Sequence, residues 1–312
     1  MEKVIVIVGP TASGKTALAI RVAKEFNGEI ISADSMQIYK KMDIGTAKPD
    51  EKEMDGIKHY LIDEVKIGED FSVVKFKSLA LGYIKEIIEK GKMPIIVGGT
   101  GLYINSLVYN IEFSESIVDW EYRKYLEQEA LEKGNQFLHH MLIAIDGEAA
   151  KRIHSNDIKR TIRALEVFKT TGKTISQSIE RSRLATSEYN FFILGLTMDR
   201  KTLYDRINFR VDKMMDDGLL EEVKQLFMDG LEERKIPMQA IGYKEIIKYL
   251  KRDCELSEAV EVIKMETRRF AKRQLTWFNR LENVNWVQLH NTSSEEILKN
   301  IQDFIESKGI FL

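Results

Sequence analysis

The stretch VIVIVGPTASGKT, residues 4–16, joins a run of β-branched residues to a loop bounded by glycines. The apolar run over residues 4–8 is continuous rather than alternating, which predicts a central strand of a parallel sheet that is covered on both faces. Residues 9–16 then match G-x-x-x-x-G-K-[ST] in full, and helical periodicity follows from Thr16 to about residue 26. This order of strand, loop and helix predicts a phosphate-binding loop at the start of an α/β domain.

The loop residues suit the binding of a diphosphate. Glycines let the backbone close around phosphate oxygens, and the loop amides and the helix N-terminus present N–H groups to them. Lys15 adds a positive charge, and the Thr16 hydroxyl can bind Mg²⁺. The predicted diphosphate- or nucleotide-binding residues are Gly9, Pro10, Thr11, Ala12, Ser13, Gly14, Lys15 and Thr16. The alternative is an ordinary glycine turn between a strand and a helix.

The motif does not identify the phosphate compound. The usual inference is ATP or GTP, as in ATP-binding kinases. Residues 60–63 (YLID) can be the strand that ends in the Mg²⁺-binding aspartate of a kinase or nucleotide hydrolase. The run is short and lies in an acidic stretch, so a surface strand is an equally good interpretation.

Further strands and helices alternate along the chain. Strand patterns recur at residues 30–34, 94–97, 191–196 and 284–289, and helical patterns at 72–88 and 200–217. We therefore predict a P-loop NTPase-like α/β fold, a parallel sheet core flanked by helices, formed by residues 1–111 and 190–312. Residues 112–189 lack strand patterns and predict a mostly helical insertion domain.

The composition excludes several classes of protein. The 312 residues are 44% hydrophobic with a net charge of −2, which is ample for a core and argues against disorder. The single cysteine excludes a disulfide framework and a cysteine-based zinc site. No apolar run approaches the roughly 20 residues that span a bilayer, and none resembles a signal peptide. We expect a cytoplasmic protein with no membrane partner.

Two stretches are basic although the chain as a whole is not. Residues 151–183 hold nine lysines and arginines against three acids, and residues 264–280 hold six against one. Such stretches are candidate RNA-binding surfaces, and the first lies inside the predicted insertion. A charged run can equally be a solvated helix face.

Eight segments taken together resemble the tRNA dimethylallyltransferase family. They are residues 9–16 (GPTASGKT), 32–39 (SADSMQIY), 42–49 (MDIGTAKP), 59–65 (HYLIDEV), 97–103 (VGGTGLY), 154–168 (HSNDIKRTIRALEVF), 239–245 (QAIGYKE) and 271–278 (AKRQLTWF). The segments run in order across nearly the whole chain. The chain resembles the bacterial type, because eukaryotic members carry a C-terminal zinc-finger motif whose cysteines are absent here.

The resemblance implies transfer of a dimethylallyl group from dimethylallyl diphosphate to N6 of adenosine 37 in tRNAs that read codons beginning with U. The implied partners are dimethylallyl diphosphate and the anticodon stem-loop of the tRNA, the implied metal is Mg²⁺, and we expect a monomer. In this interpretation the loop holds the leaving diphosphate, and Lys15, the loop amides and Mg²⁺ on Thr16 stabilise its developing charge.

Four residues receive catalytic roles in this way: Asp34, Thr100, Lys15 and Arg210. The resemblance implies that Asp34 is the general base for the adenine amino group, for which a helix cap or a Mg²⁺ ligand is the alternative. Thr100 is implied to meet the tRNA near the reacting base, unless it is simply a turn residue. Arg210 is implied to clamp the diphosphate, unless it is an exposed helical cation.

The implied tRNA contacts involve more of the chain. They are Asp34, Ser35, Met36, Gln37, Thr100, Arg123, Lys159, Arg160, Thr161, Ile162, Arg163, Gln239, Gly242 and Lys244. Three other functions stay open: a nucleotide or small-molecule kinase, an RNA-binding protein without catalysis, and a prenyltransferase for free adenine nucleotides. The basic insertion disfavours the last, because a free nucleotide needs no stem-loop platform.

Overall fold

The computed structural model describes residues 1–111, 118–184, 187–229, 235–289 and 292–307. The side chains of residues 181–184, which include two arginines of the first basic stretch, lie outside this description. The chain divides into two compact units, Met1–Ile104 with Glu188–Leu312, and Asn105–Ser187. We call them the sheet unit and the helical unit.

The sheet unit is built on six parallel strands. They are β1 (Glu2–Val8), β2 (Gly28–Ser32), β3 (His59–Tyr60), β4 (Met93–Gly98), β5 (Tyr189–Thr197) and β6 (Val284–Gln288). Their order across the sheet is β3-β2-β4-β1-β5-β6, and each neighbouring pair is parallel. The predicted parallel α/β sheet is therefore confirmed.

Helices connect these strands and extend beyond the last one. They are α1 (Lys15–Glu25), α2 (Glu51–Met54), α3 (Val73–Glu89), α10 (Arg200–Asp216), α11 (Leu219–Met228), α12 (Tyr243–Leu250), α13 (Leu256–Phe278) and α14 (Ser294–Glu306). Helix α4 (Gly101–Val108) runs across the boundary between the two units. A 3₁₀ turn, Ile236–Gln239, precedes α12.

The first strand lies in the middle of the sheet, as its continuous apolar run predicts. Ile5 and Ile7 belong to one core with residues of α1 and α14, and Val4, Val6 and Val8 are also fully buried. Since neighbouring residues of a strand point to opposite faces, both faces of β1 are covered.

The helical unit contains the end of α4 and five further helices. They are α5 (Trp120–Lys133), α6 (Asn135–Ile145), α7 (Gly147–Arg152), α8 (Ile158–Thr171) and α9 (Ile175–Leu184). Within its described residues the unit has no strand, and it has its own core, which includes Leu126, Leu138, Leu142 and Leu165. Across the described part of the chain, no helix has the length and apolar character needed to cross a bilayer.

Candidate active site

Three loops of the sheet unit leave the same edge of the sheet. The phosphate loop (residues 9–16) follows β1, residues 33–37 follow β2, and residues 98–101 follow β4, the strand between them. The register pairs Val8 with Gly98, and Ser32 with Val97, so the three strands end at one level. Ligands of parallel α/β sheets bind at this edge, and the three loops therefore define the candidate site.

The phosphate loop has the backbone of an anion-binding turn. Gly9 has φ +154° and a Cβ there would lie 2.8 Å from the Leu196 carbonyl, so the position requires glycine. Gly14 has φ 93° and caps α1 without any side-chain hydrogen bond to the first helical amides. The Ser13 hydroxyl is buried and has no hydrogen-bond partner among the described residues. Helix N-terminal amides without a side-chain cap, and a hydroxyl without a protein partner, suit phosphate oxygens.

Lys15 lies in this loop with its side chain partly buried. Its Nζ donates a hydrogen bond of 2.7 Å to the Pro10 carbonyl. Burial, with a smaller contribution from the Arg210 cation, lowers the pKa of Lys15 to about 7, against the opposing effect of the Asp34 carboxylate. The three charged side chains predicted to share one site therefore do interact in the fold.

Arg210 reaches the phosphate loop from α10. Its Nη1 donates to Thr11 Oγ1 over 3.4 Å. Burial lowers the pKa of Arg210, while Asp34 and Glu53 oppose this shift. A guanidinium remains charged even so, and a planar fork beside the loop is well suited to clamp a diphosphate.

The two oxygens of Asp34 differ in their surroundings. Oδ1 accepts hydrogen bonds from the backbone N–H groups of Met36 (2.8 Å) and Gln37 (3.3 Å), as in a capped turn. Oδ2 has no hydrogen bond among the described residues. The carboxylate can therefore stabilise its own turn and still accept a proton from a ligand.

Thr100 ties the loop after β4 to the loop after β2. Its Oγ1 accepts a hydrogen bond of 3.1 Å from Ser35 N, and its N–H donates to the Ala33 carbonyl over 3.2 Å. The approach depends on Gly98, because a Cβ there would lie 2.2 Å from the Ala33 carbonyl oxygen. Thr100 therefore helps to place the turn that carries Asp34.

Gln37 is held by the protein through both ends of its side-chain amide. Its Nε2 donates to the carbonyls of Thr46 and Ala47, both at 3.2 Å, and its Oε1 accepts from Ser32 Oγ at 3.2 Å. Ser35 and Met36, the other predicted tRNA contacts of this turn, are partly exposed.

Gln274 is a site residue that sequence motifs alone do not identify. The Thr11 N–H donates to its Oε1 over 2.8 Å, and its Nε2 donates to the Gly99 carbonyl over 3.0 Å. Its exposed fraction is only 5%. Gln274 thus joins the phosphate loop to the loop after β4. The available signal was a polar residue on the buried face of α13, between Ala271 and Phe278.

Glu222 on α11 anchors the segment 42–49 in the same unit. Its carboxylate accepts three backbone N–H groups, from Asp43 (2.9 Å), Ile44 (2.8 Å) and Gly45 (3.1 Å), and the Tyr243 hydroxyl at 2.6 Å. This segment supplies the carbonyls that hold Gln37, so Glu222 supports the Asp34 turn indirectly. Sequence alone gave no indication of this role.

The predicted tRNA contacts around α12 differ in exposure. Gln239 is exposed at the end of the 3₁₀ turn, and Lys244 is partly exposed, with its Nζ 3.6 Å from Glu245. Gly242 is buried with φ 97° and starts the helix, where its N–H donates to Glu245 Oε2 over 2.8 Å. Gly242 therefore serves to shape the turn that starts α12.

The predicted tRNA contacts of the helical unit also differ in exposure. Lys159 and Arg160 are exposed at the start of α8, whereas Thr161 and Ile162 are buried. Arg123 binds both oxygens of the fully buried Glu166 at 2.8 Å, and Arg163 also pairs with Glu166. The exposed cations at the start of α8 are therefore Lys159 and Arg160, and Arg160 also lies 3.4 Å from the carboxylate of Asp157.

The candidate metal ligand Thr16 lies in the first turn of α1, partly exposed and without a hydrogen bond among the described side chains. The described residues contain no cluster of three acidic, histidine or cysteine side chains that could hold a metal ion. The Thr16 hydroxyl alone could serve as a protein ligand of Mg²⁺, which commonly takes one or two protein ligands together with phosphate oxygens and water.

Asp63, the Mg²⁺ ligand that a kinase would require, is already engaged. It pairs at 2.6 Å with Lys48, and β3, which precedes it, is an edge strand. Three strand spacings, roughly 14 Å, separate β3 from β1 and its phosphate loop.

The fold and the site define a P-loop-like α/β enzyme whose phosphate loop faces an aspartate. The IPP transferase family profile matches residues 37–281. The chain is 59% identical to a tRNA dimethylallyltransferase of Acetivibrio thermocellus over 100% of both chains. Among solved structures, it is similar to the full-length tRNA isopentenylpyrophosphate transferase of Bacillus halodurans, with a TM-score of 0.73 and 45% identity over 98% of this chain and 96% of that one.

A second solved structure is similar at lower identity. It is a eukaryotic dimethylallyltransferase acting on tRNA, with a TM-score of 0.80 and 30% identity over 100% of this chain and 81% of the other. This chain belongs to the IPP transferase family. The resemblance drawn from the eight sequence segments is thereby confirmed.

Proposed function

We propose that this protein transfers the dimethylallyl group of dimethylallyl diphosphate to N6 of adenosine 37 in tRNAs that read codons beginning with U. The products are N6-dimethylallyladenosine and diphosphate. One observation carries the proposal beyond family membership. The phosphate loop, with the cations Lys15 and Arg210, interacts electrostatically with Asp34, whose Oδ2 has no hydrogen bond among the described residues.

The reaction breaks a C–O and an N–H bond and forms an N–C and an O–H bond. The bond between the allylic carbon and the diphosphate oxygen breaks, and its electron pair stays on diphosphate. The lone pair of N6 forms the new bond to that carbon, and the proton of N6 passes to Asp34. Lys15, Arg210 and the loop amides stabilise the charge that develops on the leaving group. A carboxylate that accepts the proton is needed because the adenine amino group is a weak nucleophile.

Thr16 would hold Mg²⁺ through its hydroxyl, together with oxygens of the diphosphate. When bound, the ion neutralises negative charge on the leaving group. The residues of this chain orient the donor, since Lys15 belongs to the phosphate loop and Arg210 reaches the loop from α10.

The basic surface of the helical unit supports an RNA substrate. Lys159 and Arg160 are exposed at the start of α8, where they can neutralise phosphates of the anticodon stem-loop. Chemistry on a stacked base also requires its extrusion from the stack, and a separate unit that grips the stem-loop suits this requirement.

A kinase is the competing function for the phosphate loop. It is disfavoured by the ion pair between Asp63 and Lys48, which occupies the carboxylate that a kinase would use for Mg²⁺. The test is to incubate the protein with unmodified tRNA, dimethylallyl diphosphate and Mg²⁺, and then to analyse the nucleosides by mass spectrometry. A parallel reaction contains ATP in place of the isoprenoid.

We expect one dimethylallyl group on the adenosine of the anticodon loop, equimolar diphosphate release, and no consumption of ATP. Consumption of ATP with an unmodified tRNA would overturn the proposal. A tRNA in which adenosine 37 is replaced by guanosine is the matched control and should remain unmodified.

A further inference from the structure

A large aromatic side chain is exposed at the start of α5 in the helical unit. Trp120 is the first residue of this helix, and 71% of its surface is exposed. Exposure of an indole is costly in water, and tryptophan is enriched at binding hot spots. Trp120 has no role in the function proposed above.

One side of the indole is supported by a rigid cation. The Arg123 guanidinium lies 5.2 Å from the centre of the Trp120 ring. The guanidinium is itself fixed, because its Nε and Nη2 each donate to a different oxygen of Glu166 over 2.8 Å. Glu166 is fully buried, so this pair has little freedom to rearrange. The indole is therefore held ready for a ligand, with most of its surface still open to solvent.

The surroundings of Trp120 present positive charge to solvent. Arg163 shares Glu166 with Arg123, and Lys169 pairs with Asp119 at 2.9 Å. The side chains of these three cations are 27–50% exposed. Among the acids, Glu166 is fully buried and the side chain of Asp119 is 29% exposed. Glu121 and Lys124 of α5 are both exposed and offset each other in charge. The exposed charges named here sum to a net positive value, which favours an anionic partner over a basic one.

We propose that Trp120 stacks on an unpaired base of the RNA that binds the helical unit. The inference rests on the proposed function, since it assumes an RNA substrate, and it adds a binding contact to that function. A supported aromatic face surrounded by cations matches the way proteins bind single-stranded bases, by stacking beside phosphate contacts. Because every base has a π-face, the contact adds affinity with little sequence preference.

The test compares three substitutions: Trp120→Ala, Trp120→Leu and Trp120→Phe. Their dissociation constants for an unmodified tRNA are measured by filter binding at fixed salt. We expect Trp120→Ala to weaken binding by about 5- to 150-fold, the range for loss of one stacked base. Trp120→Phe should retain most of the affinity. Trp120→Leu should resemble the alanine variant, because a leucine is apolar but cannot stack.

The matched control is Leu131→Ala on the same helix. Leu131 is 81% exposed, so its loss removes a comparable apolar surface without a flat ring. This variant should bind tRNA as the wild type does. Thermal unfolding of all four variants checks that each has folded.

Fluorescence supplies a second readout. Stacking on a base should quench part of the tryptophan emission when tRNA is added. That part of the quenching should be absent in Trp120→Phe, although this variant still binds tRNA.

Wild-type affinity in Trp120→Ala would overturn the inference, and so would full retention of affinity in Trp120→Leu. A change of oligomeric state in Trp120→Ala, measured by sedimentation, would assign the indole to a protein interface and overturn it as well. These outcomes leave the proposed function intact as long as the wild type binds and prenylates tRNA. Absence of tRNA binding by the wild type would count against both.

Discussion

The Asp34 carboxylate serves two purposes through two different oxygens. Oδ1 caps the turn through Met36 N and Gln37 N, and Oδ2 remains for a ligand. The capping role and the proposed base role are therefore compatible in one side chain. A substitution that removes only the second role separates them.

Asp34→Asn should keep the turn, since the amide oxygen can still accept the two backbone N–H groups, but it cannot act as a base. We expect its single-turnover rate of prenyl transfer to fall by about 10²- to 10⁴-fold, the usual contribution of a positioned acid or base. Binding of tRNA should be retained. Asp34→Ala should show the same kinetic loss and also a lower melting temperature, because the turn loses its cap. A wild-type rate in Asp34→Asn would exclude the base role.

The lowered pKa of Lys15 predicts that the protein takes up a proton when it binds diphosphate. With its pKa near 7 in the free protein, Lys15 is mostly neutral at pH 8. A bound diphosphate raises this pKa, because it places negative charge beside the ammonium group. The bound state then holds more protons than the free state, so affinity should fall as pH rises above 7.

The uptake is measured by calorimetry at pH 8 in chelator, with buffers of different ionisation enthalpy. We expect close to one proton more for the wild type than for Lys15→Arg, whose guanidinium stays charged throughout. The proton exchange of diphosphate itself is common to both proteins. Equal uptake in the two proteins would contradict the lowered pKa.

At the scale of single residues, sequence motifs identify the loops of the site better than the contacts between residues that are distant in sequence. The motifs named the segments that carry Asp34, Thr100 and the phosphate loop, and the fold brings those segments together. The contact between Thr11 and Gln274 joins residues 263 positions apart, and local pattern contains no information on such a pair. Glu222 was missed for the same reason.

Elements with strong periodicity were predictable almost to the residue. The helical pattern over residues 72–88 corresponds to α3, which Ser72 caps through Lys75 N and whose buried residues are Phe76, Ala80, Ile84 and Ile87. The short strand β3 was left ambiguous, because two residues at a sheet edge are too few to show a period.

The position of α13 relative to the site depends on Gln274. Gln274→Leu removes a partner from Thr11 N and from the Gly99 carbonyl, and each buried group left unpaired costs about 1–3 kcal/mol of stability. We also expect slower transfer, by about 10²-fold, since displacement of a reacting group by an ångström has that effect. Binding of tRNA should be unchanged. The transfer rate is measured in quenched time-course assays at saturating substrate concentrations, and the stability by thermal unfolding.

Two controls accompany this prediction: one at another residue of α13, and one with a different substitution at Gln274. Thr276→Ala changes an exposed residue of α13 and should leave the rate unaltered. Gln274→Glu keeps an acceptor for Thr11 N but places a second oxygen against the Gly99 carbonyl, so it should not restore the rate. Recovery of wild-type kinetics in Gln274→Glu would show that the contact with Gly99 is dispensable.

The close contact at Gly98 predicts that alanine substitutions at Gly98 and at Gly82 have opposite effects on stability. In Gly98→Ala the new Cβ would meet the Ala33 backbone at 2.2 Å, where no flexible side chain can yield. The loops after β2 and β4 must then separate, with loss of stability and of transfer. Gly82→Ala, at an exposed position of α3 with nothing within 4 Å, should instead raise stability by about 0.5–1 kcal/mol. Denaturant unfolding measures both, and equal stability of the two variants would refute the steric argument.

At the scale of the whole molecule, net charge was a poor guide and local charge a better one. A net charge of −2 does not indicate an RNA-binding protein. The exposed cations Lys159 and Arg160, however, lie together at the start of α8 in the separate helical unit. The absence of strand patterns over residues 112–189 predicts a mostly helical insertion. The compact unit begins earlier, at Asn105 inside α4, because a continuous helix gives no sequence signal where one core ends and the next begins.

Separate units predict separable binding functions. Lys159→Ala with Arg160→Ala removes two exposed cations from α8 and leaves Glu166 with both of its arginine partners, so the fold should be kept. We expect weaker tRNA binding, and a slope of log affinity against log salt that falls by about two, one for each lost phosphate contact. Binding of diphosphate should not change.

Lys85→Ala on α3 is the matched control, since it removes an exposed cation from the sheet unit. It should leave the affinity for tRNA and the salt slope as they are. If the double variant keeps the wild-type slope, these cations are solvated surface, and the RNA contacts of the helical unit must come from elsewhere. A weaker affinity with an unchanged slope would indicate altered folding of α8 instead, because only lost phosphate contacts reduce counterion release.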